Sequence, residues 1–218
     1  KPAAELPGSG PIRLVFDNDW AAAQTWDEQT KAALENLSEA SRENRDVYIL
    51  GTTPEPGAQS PFSQGPMSAG QAQSIIKGLK PLPWPADYKA AADLITKNAP
   101  KDKVYNIWYS HGLDEGYMSE LVKALQAQGP LALFAPKNER LPVLLRQPEK
   151  RAAGALQMAV TSALVTPPGR IVNVQALSSD GRIIDQQSVT LKPGEPVAAT
   201  FDAPENLRGD ISEFRIGN

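Results

Sequence analysis

Cysteine is absent from the 218 residues, and histidine occurs once. The first absence excludes disulfides, thiolate metal sites and cysteine nucleophiles, and it suits either side of a bacterial inner membrane. The lone histidine, His111, has no second imidazole to complete a zinc pair or a two-histidine relay. Basic charge is also scarce: 22 lysines and arginines stand against 25 acids, a net charge of -3, and they are scattered. Nucleic acid is therefore not an expected partner. No apolar stretch approaches the roughly 20 residues that span a bilayer, and the first residues carry no signal-peptide pattern. The chain as given is expected to be soluble, touching a membrane only through segments outside it. Its glycines form neither G-x-G-x-x-G nor a Walker A sequence, so no nucleotide or other cofactor is expected.

What the sequence does have is a set of short apolar runs that stop at polar tips. PIRLVFDNDW, residues 11–20, places Ile12, Leu14, Val15 and Phe16 before Asp17 and Asp19. Such a run reads as a buried strand of a parallel sheet, with the two acids at the mouth of a crevice beyond its carboxyl end. Residues 1–10, rich in proline and glycine, read as a linker or tether. Thr25 and Glu28 suggest a capping box, opening an amphipathic helix with Trp26, Ala33, Leu34, Leu37 and Ala40 on its apolar stripe. A second strand follows at residues 47–50. Residues 54–66, dense in Pro, Gly, Ser and Gln, read as a long surface loop.

Ser68 is expected to cap a helix through Leu79, and a further helix is expected at about residues 86–98. A third strand, residues 104–109, ends at Ser110-His111-Gly112-Leu113-Asp114; a helix over 115–128 closes at Gly129, and residues 131–134 form a fourth strand. After about Arg140 the helical period gives way to alternating runs at 156–164, 171–177, 182–191, 196–201 and 211–216, parted by PPG, SSDG, KPGEP and APENLRGD. That is the spacing of a β-sandwich, with Ser179-Asp180-Gly181-Arg182 as its strongest hairpin signal. The division expected is thus a linker over 1–10, an α/β domain over 11–136, a connector over 137–153 and a β-sandwich-like domain over 154–218. The fold class is α/β, a doubly wound and mostly parallel sheet, followed by a small antiparallel β domain.

Asp17 and Asp19 are the candidates for a cation site, with Thr52, Thr53, Asp87, Ser110 and Asp114 as further oxygen donors. The competing role for such acids is to cap the next helix and to order loop backbone, and Asp17 is expected mainly to accept backbone hydrogen bonds. Ser110 lacks the G-x-S-x-G elbow, and neighbours in an extended chain point to opposite faces, so Ser110 and His111 do not make a triad. Trp20 and Trp84 fall where a strand tip and an inter-helix loop are expected. They either pack over the loops or anchor an interface.

LVFDNDWAAAQTWDEQ, VYILGTTPEP, GLKPLPWPADYKAA, VYNIWYSHGLDEGY and GPLALFAP, in that order, resemble the von Willebrand factor A-like region of BatA-type, aerotolerance-related bacterial inner-membrane proteins. The resemblance implies a doubly wound sheet and a loop surface for partners. It also implies a comparison with the metal-ion-dependent adhesion site of that fold, D-x-S-x-S plus a loop threonine and an S-D-G-like aspartate. Asp17 matches the first aspartate. Asp19 and Ala21 stand where the serines belong, Pro85-Ala86-Asp87 stands for the threonine loop, and His111 replaces the last aspartate. The resemblance further implies two membrane spans before the domain and, by positive-inside topology, a periplasmic location.

The expectation is a non-enzymatic protein-binding or scaffold module with a degenerate adhesion site and no bound metal. Its partner-binding candidates are Asp17, Asp19, Trp20, Thr52, Trp84, Asp87, His111 and Asp114. The alternatives are an adhesion domain with altered metal ligands, or a hydrolase using Asp17, Asp19, Asp114 and His111.

Overall fold

The computed structural model describes residues 6–114, 116–135, 141–150 and 155–217. The chain divides into two compact units, residues 1–140 and residues 141–218. The first is built on a five-stranded sheet in the order β3-β2-β1-β4-β5. Strands β1 (Ile12–Phe16), β2 (Val47–Pro54), β4 (Tyr105–Tyr109) and β5 (Leu131–Phe134) run parallel, and β3 (Pro61–Met67) lies antiparallel on the edge.

β1 is central, and every one of its residues is buried. Alternation along it divides two cores. Ile12, Leu14 and Phe16 face α1 (Trp26–Arg42) and α2 (Ala69–Gly78), joined by Leu37, Ile49, Ile76 and Tyr109. Val15 faces α3 (Tyr88–Lys97) and α4 (Met118–Gln128), joined by Leu50, Tyr88, Trp108 and Leu121. A strand covered by helices on both sides has no solvated face, which is why its sequence is a nearly continuous apolar run. The chain moves from β1 to β2 on one side and later returns to pair β4 on the other. The carboxyl ends of β1 and β4 therefore flank the switch point of the sheet, the position where open α/β folds place their binding crevices.

Several local expectations change. Residues 61–67 are not loop but the edge strand β3, whose middle residues are exposed. Edge position tolerates Pro61 and Pro66, and a strand with one solvated side needs few apolar residues, so its sequence looks like a loop. Thr25 makes no side-chain cap; instead Asp19 caps a 3-10 turn, Trp20–Thr25, that runs directly into α1, and the Thr25 hydroxyl donates back to the Ala22 carbonyl. The tether reading fails for residues 6–10: Leu6 is buried, and the Arg45 guanidinium donates to the carbonyls of Leu6, Pro7, Gly8 and Gly10. Residues 1–5 lie outside the described residues. Ser68 does form the capping box of α2, with Gln71 as its returning half. No helix of the described residues is long and apolar enough to cross a membrane.

The second unit holds two small antiparallel sheets. One is β10 (Ile183–Thr190), β9 (Ile171–Ser178) and β12 (Ile211–Gly217); the other is β11 (Pro196–Phe201), β8 (Leu156–Ser162) and β6 (Val143–Leu145), with β7 (Glu149–Lys150) also on β8. Met158, Val160, Val172, Val174, Val189 and Phe201, drawn from both sheets, make its core. The β9–β10 hairpin closes over Gly181 at φ +82, where Asp180 accepts the Arg182 N–H, as the SSDG sequence implies. A short helix, α5 (Glu205–Arg208), precedes β12. Of the expected connector, residues 141–150 carry β6 and β7, while 137–140 and 151–153 lie outside the described residues.

Candidate functional site

Asp17 and Asp19 follow the last residue of β1, but neither opens onto a crevice: both are buried, with exposures of 0% and 1%. The Asp17 backbone N–H bonds the Tyr109 carbonyl, which fastens the end of β1 to the end of β4. Its carboxylate then takes three hydrogen bonds, all from side chains. Oδ1 accepts from Trp108 Nε1 at 2.9 Å and from the Thr52 hydroxyl at 3.2 Å, and Oδ2 accepts from the Ser110 hydroxyl at 2.6 Å. The expected backbone role belongs to Asp19 instead, whose Oδ1 accepts the Ala21 and Ala22 N–H groups. The difference is one of position: Asp17 is still level with neighbouring strands whose side chains point at it, whereas Asp19 already stands at the start of a helical turn with free amides.

His111 completes the cluster. Its Nδ1 accepts the Leu113 N–H at 3.1 Å, so the ring proton is on Nε2, which donates to Asp19 Oδ2 at 2.9 Å and lies 3.7 Å from Asp17 Oδ2. The ring is buried. Ser110 and His111 do not point to opposite faces, because β4 ends at Tyr109 and the chain turns through Gly112 at φ +78; Ser110 bonds Asp17 while His111 bonds Asp19 and lies beside Asp17. The Ser110 oxygen, donating to Asp17, accepts the Gly112 N–H at 3.0 Å. Burial, the largest cause, pushes the Asp17 carboxyl above its ordinary value of 3.8, and the Asp19 carboxylate adds to that, while the hydrogen bonds from Ser110 and Trp108 pull it back.

Asn18 ties in the third strand tip. Its Oδ1 accepts the Thr53 N–H, and a Cβ on Gly51 would sit 3.0 Å from that same oxygen, so glycine at 51 permits the close approach. The loop over residues 82–87 is held on top: Leu82 N–H bonds the Asn18 carbonyl, Asp87 N–H bonds the Thr52 carbonyl, and Trp84 Nε1 donates to the Pro54 carbonyl.

The candidates therefore separate into two groups. Asp17, Asp19, Thr52 and His111 come together, joined by Ser110 and by Trp108, which lies inside the third apolar run. Asp87 and Asp114 do not join them. Both are exposed, Asp87 capping α3 through the Ala90 N–H and Asp114 accepting the Gly116 N–H. Trp84 is half-buried over its loop, which leaves Trp20, 36% exposed, as the open tryptophan. Sequence reasoning missed Tyr117. It is 58% exposed and held at φ +63 immediately before α4, a backbone region that non-glycine residues rarely adopt. Gly116 at φ +120 was the available signal, since a glycine just before a helix marks a turn through positive φ.

These residues do not suit a hard divalent cation. The threonine hydroxyl that reaches Asp17 is that of Thr52, while Ala21 and Ala86 offer no side-chain oxygen and the group between the two acids is an imidazole. Magnesium and calcium require six or more oxygens, which nitrogen replaces poorly. Among the described residues no cluster of three or more His, Cys, Asp or Glu side chains has the arrangement of a metal site.

Neither a protein-family model nor a curated protein sequence matches the chain. Among solved structures, proximal thread matrix protein 1 from the mussel byssus is similar at 9% identity and a TM-score of 0.45, over 61% of this chain and 39% of that one. A von Willebrand factor type A structure from Catenulispora acidiphila is similar at 15% identity and a TM-score of 0.34, over 62% and 36%. The pilus adhesin SpaC from Lactobacillus rhamnosus GG is similar at 10% identity and a TM-score of 0.34, over 95% and 53%. The chain thus spans roughly two fifths to one half of the length of these structures. Likenesses at this level fix neither family nor function.

Proposed function

We propose that the first unit is a non-enzymatic protein-binding module of von Willebrand A-like type, in which the cation site of an adhesion domain has become a sealed polar lock. The observation that carries this reading is the closure of the cluster. Asp17 is filled by three protein donors, Asp19 by two amides and an imidazole, and both are cut off from solvent. Three of the roughly four acceptor sites of each carboxylate are filled, and burial leaves neither an open face to a substrate or an ion. Their role is to fix the loops around the switch point.

Trp20 and Tyr117 leave the carboxyl ends of the adjacent strands β1 and β4 and stand exposed on those fixed loops. Large, rigid aromatics on a preorganised base are the usual anchors of protein interfaces. We place the partner, a protein, on this end of the sheet. The resemblance in sequence blocks supports a membrane-anchored bacterial protein with this domain in the periplasm.

One observation favours an adhesion domain with altered ligands: the hydroxyls of Thr52 and Ser110 both reach Asp17. A photo-crosslinking residue at position 20 or 117, with position 31 on α1 as control, tests the favoured reading in cells. Discrete heavier products from 20 and 117 and none from 31 are expected. Equal labelling from all three, or none from any, contradicts it.

A further inference from the structure

Arg13, the second residue of β1, is 3% exposed and lies on the sheet face covered by α3 and α4. In register it stands between Tyr48 on β2 and Asn106 on β4. Its Nη1 donates to Asn106 Oδ1 at 3.1 Å, and its Cζ lies 5.6 Å from the centre of the Tyr48 ring. Asn106 is held in that orientation by its own amide, which donates to the carbonyls of Val104, Leu125 and Pro130. A guanidinium carries five N–H donors, and among the described residues this one satisfies a single acceptor. No carboxylate among the described residues pairs with it. Buried cations are ordinarily paired, so an arginine in this setting is the exceptional group of the first unit.

Arg13 lines a cavity of about 350 Å³ between β2, β3 and the end of α3. Tyr48, Ser63, Gln64 and Asn98 supply its polar wall and Leu94 and Ile95 its apolar wall; none of its lining residues is acidic. We propose that this cavity binds a small organic monocarboxylate, whose charge pairs with Arg13 and whose hydrocarbon part lies against Tyr48, Leu94 and Ile95.

The chemistry selects a carboxylate over a phosphate dianion. The planar fork of arginine suits carboxylate and phosphate alike, so the selection rests on charge. There is one cation and no lysine. The helix end that lines the cavity is the carboxyl end of α3, whose carbonyls disfavour a second negative charge. Burial pushes the Arg13 pKa down to about 10, and the group remains charged at neutral pH. This cavity lies toward the amino-terminal half of β1, away from the tips that carry Trp20 and Tyr117, so the two proposals stand or fall separately.

The test follows the Arg13 Nε–H resonance and the melting temperature of the full chain during titration with butyrate and benzoate at constant ionic strength, with benzamide and inorganic phosphate as comparators. A saturable shift with a carboxylate, and none with benzamide, is expected. Gln64→Glu, at an exposed position on the cavity wall, supplies an internal carboxylate and should weaken binding at least tenfold; Arg13→Gln should abolish it. If Arg13→Gln fails to fold, Gln64→Glu decides the matter. No saturable shift, an equal response to benzamide, tighter binding of phosphate, or affinity unchanged by Gln64→Glu would overturn the assignment.

Discussion

His111 and Asp17 carry most of what is unusual about this chain, because each is an ionisable group placed out of water with its hydrogen bonds already made. Removing the imidazole by His111→Ala leaves Asp19 Oδ2 without its 2.9 Å partner in a buried site. Removing that donor leaves a buried carboxylate oxygen without its hydrogen bond, while Oδ1 keeps the two backbone amides, so destabilisation of roughly 2 kcal/mol is expected in urea unfolding. For Asp17 the pH dependence has a definite sign. Burial raises its pKa in the folded state, so the folded chain holds that proton more tightly than the unfolded one does. The stability contributed by this group is fully present below the ordinary value of 3.8 and is lost as pH rises through the folded-state pKa. Asp17→Asn cannot ionise. The stability of the parent chain minus that of Asp17→Asn is therefore expected to fall as pH increases across that window, measured by urea titration at several acidic pH values. A difference that grows with pH would contradict the burial argument.

Among the elements, α2 gives the cleanest local test. Ser68 accepts the Gln71 N–H while the Gln71 side chain takes the Ser68 N–H, and Ser68→Ala removes one half of this exchange. A loss of about 1 kcal/mol is expected in urea unfolding, with the sheet unchanged in the amide spectrum. That cap was legible in the sequence because its chemistry is local. The buried strands were legible for a related reason: β1, β2 and β4 are covered by protein and must be apolar, and β5, a partly exposed edge strand, keeps an apolar run. β3 was hidden because an edge strand with exposed middle residues needs neither apolar alternation nor freedom from proline. The site was legible in part. Asp17, Asp19 and His111 stood out as polar residues at strand tips, but their convergence depends on the order β2-β1-β4, which places residues 17, 52 and 110 side by side from distant parts of the chain. Trp108 was hidden because its ring packs against Tyr88 while its one N–H reaches Asp17, and the sequence carries no mark of that second role.

At the scale of the whole molecule, the two units have separate hydrophobic cores, two in the first and one in the second. Residues 1–140 and 141–218, expressed apart, are each expected to unfold cooperatively, with the first retaining the near-ultraviolet signal of its buried Trp108 and Tyr109; a fragment lacking any cooperative transition would show that its core depends on the other. The central claim is that the acids at the switch point are satisfied by protein groups and need no cation. The most direct measurement is calorimetric titration of the full chain with Mg²⁺, Ca²⁺ and Mn²⁺, paired with melting in EDTA. No saturable heat and an unchanged melting temperature are expected, because Asp17 and Asp19 are occupied by Trp108, Thr52, Ser110, His111 and two backbone amides. Saturable micromolar binding that disappears in Asp17→Ala would contradict the account and establish a metal-dependent adhesion site in its place.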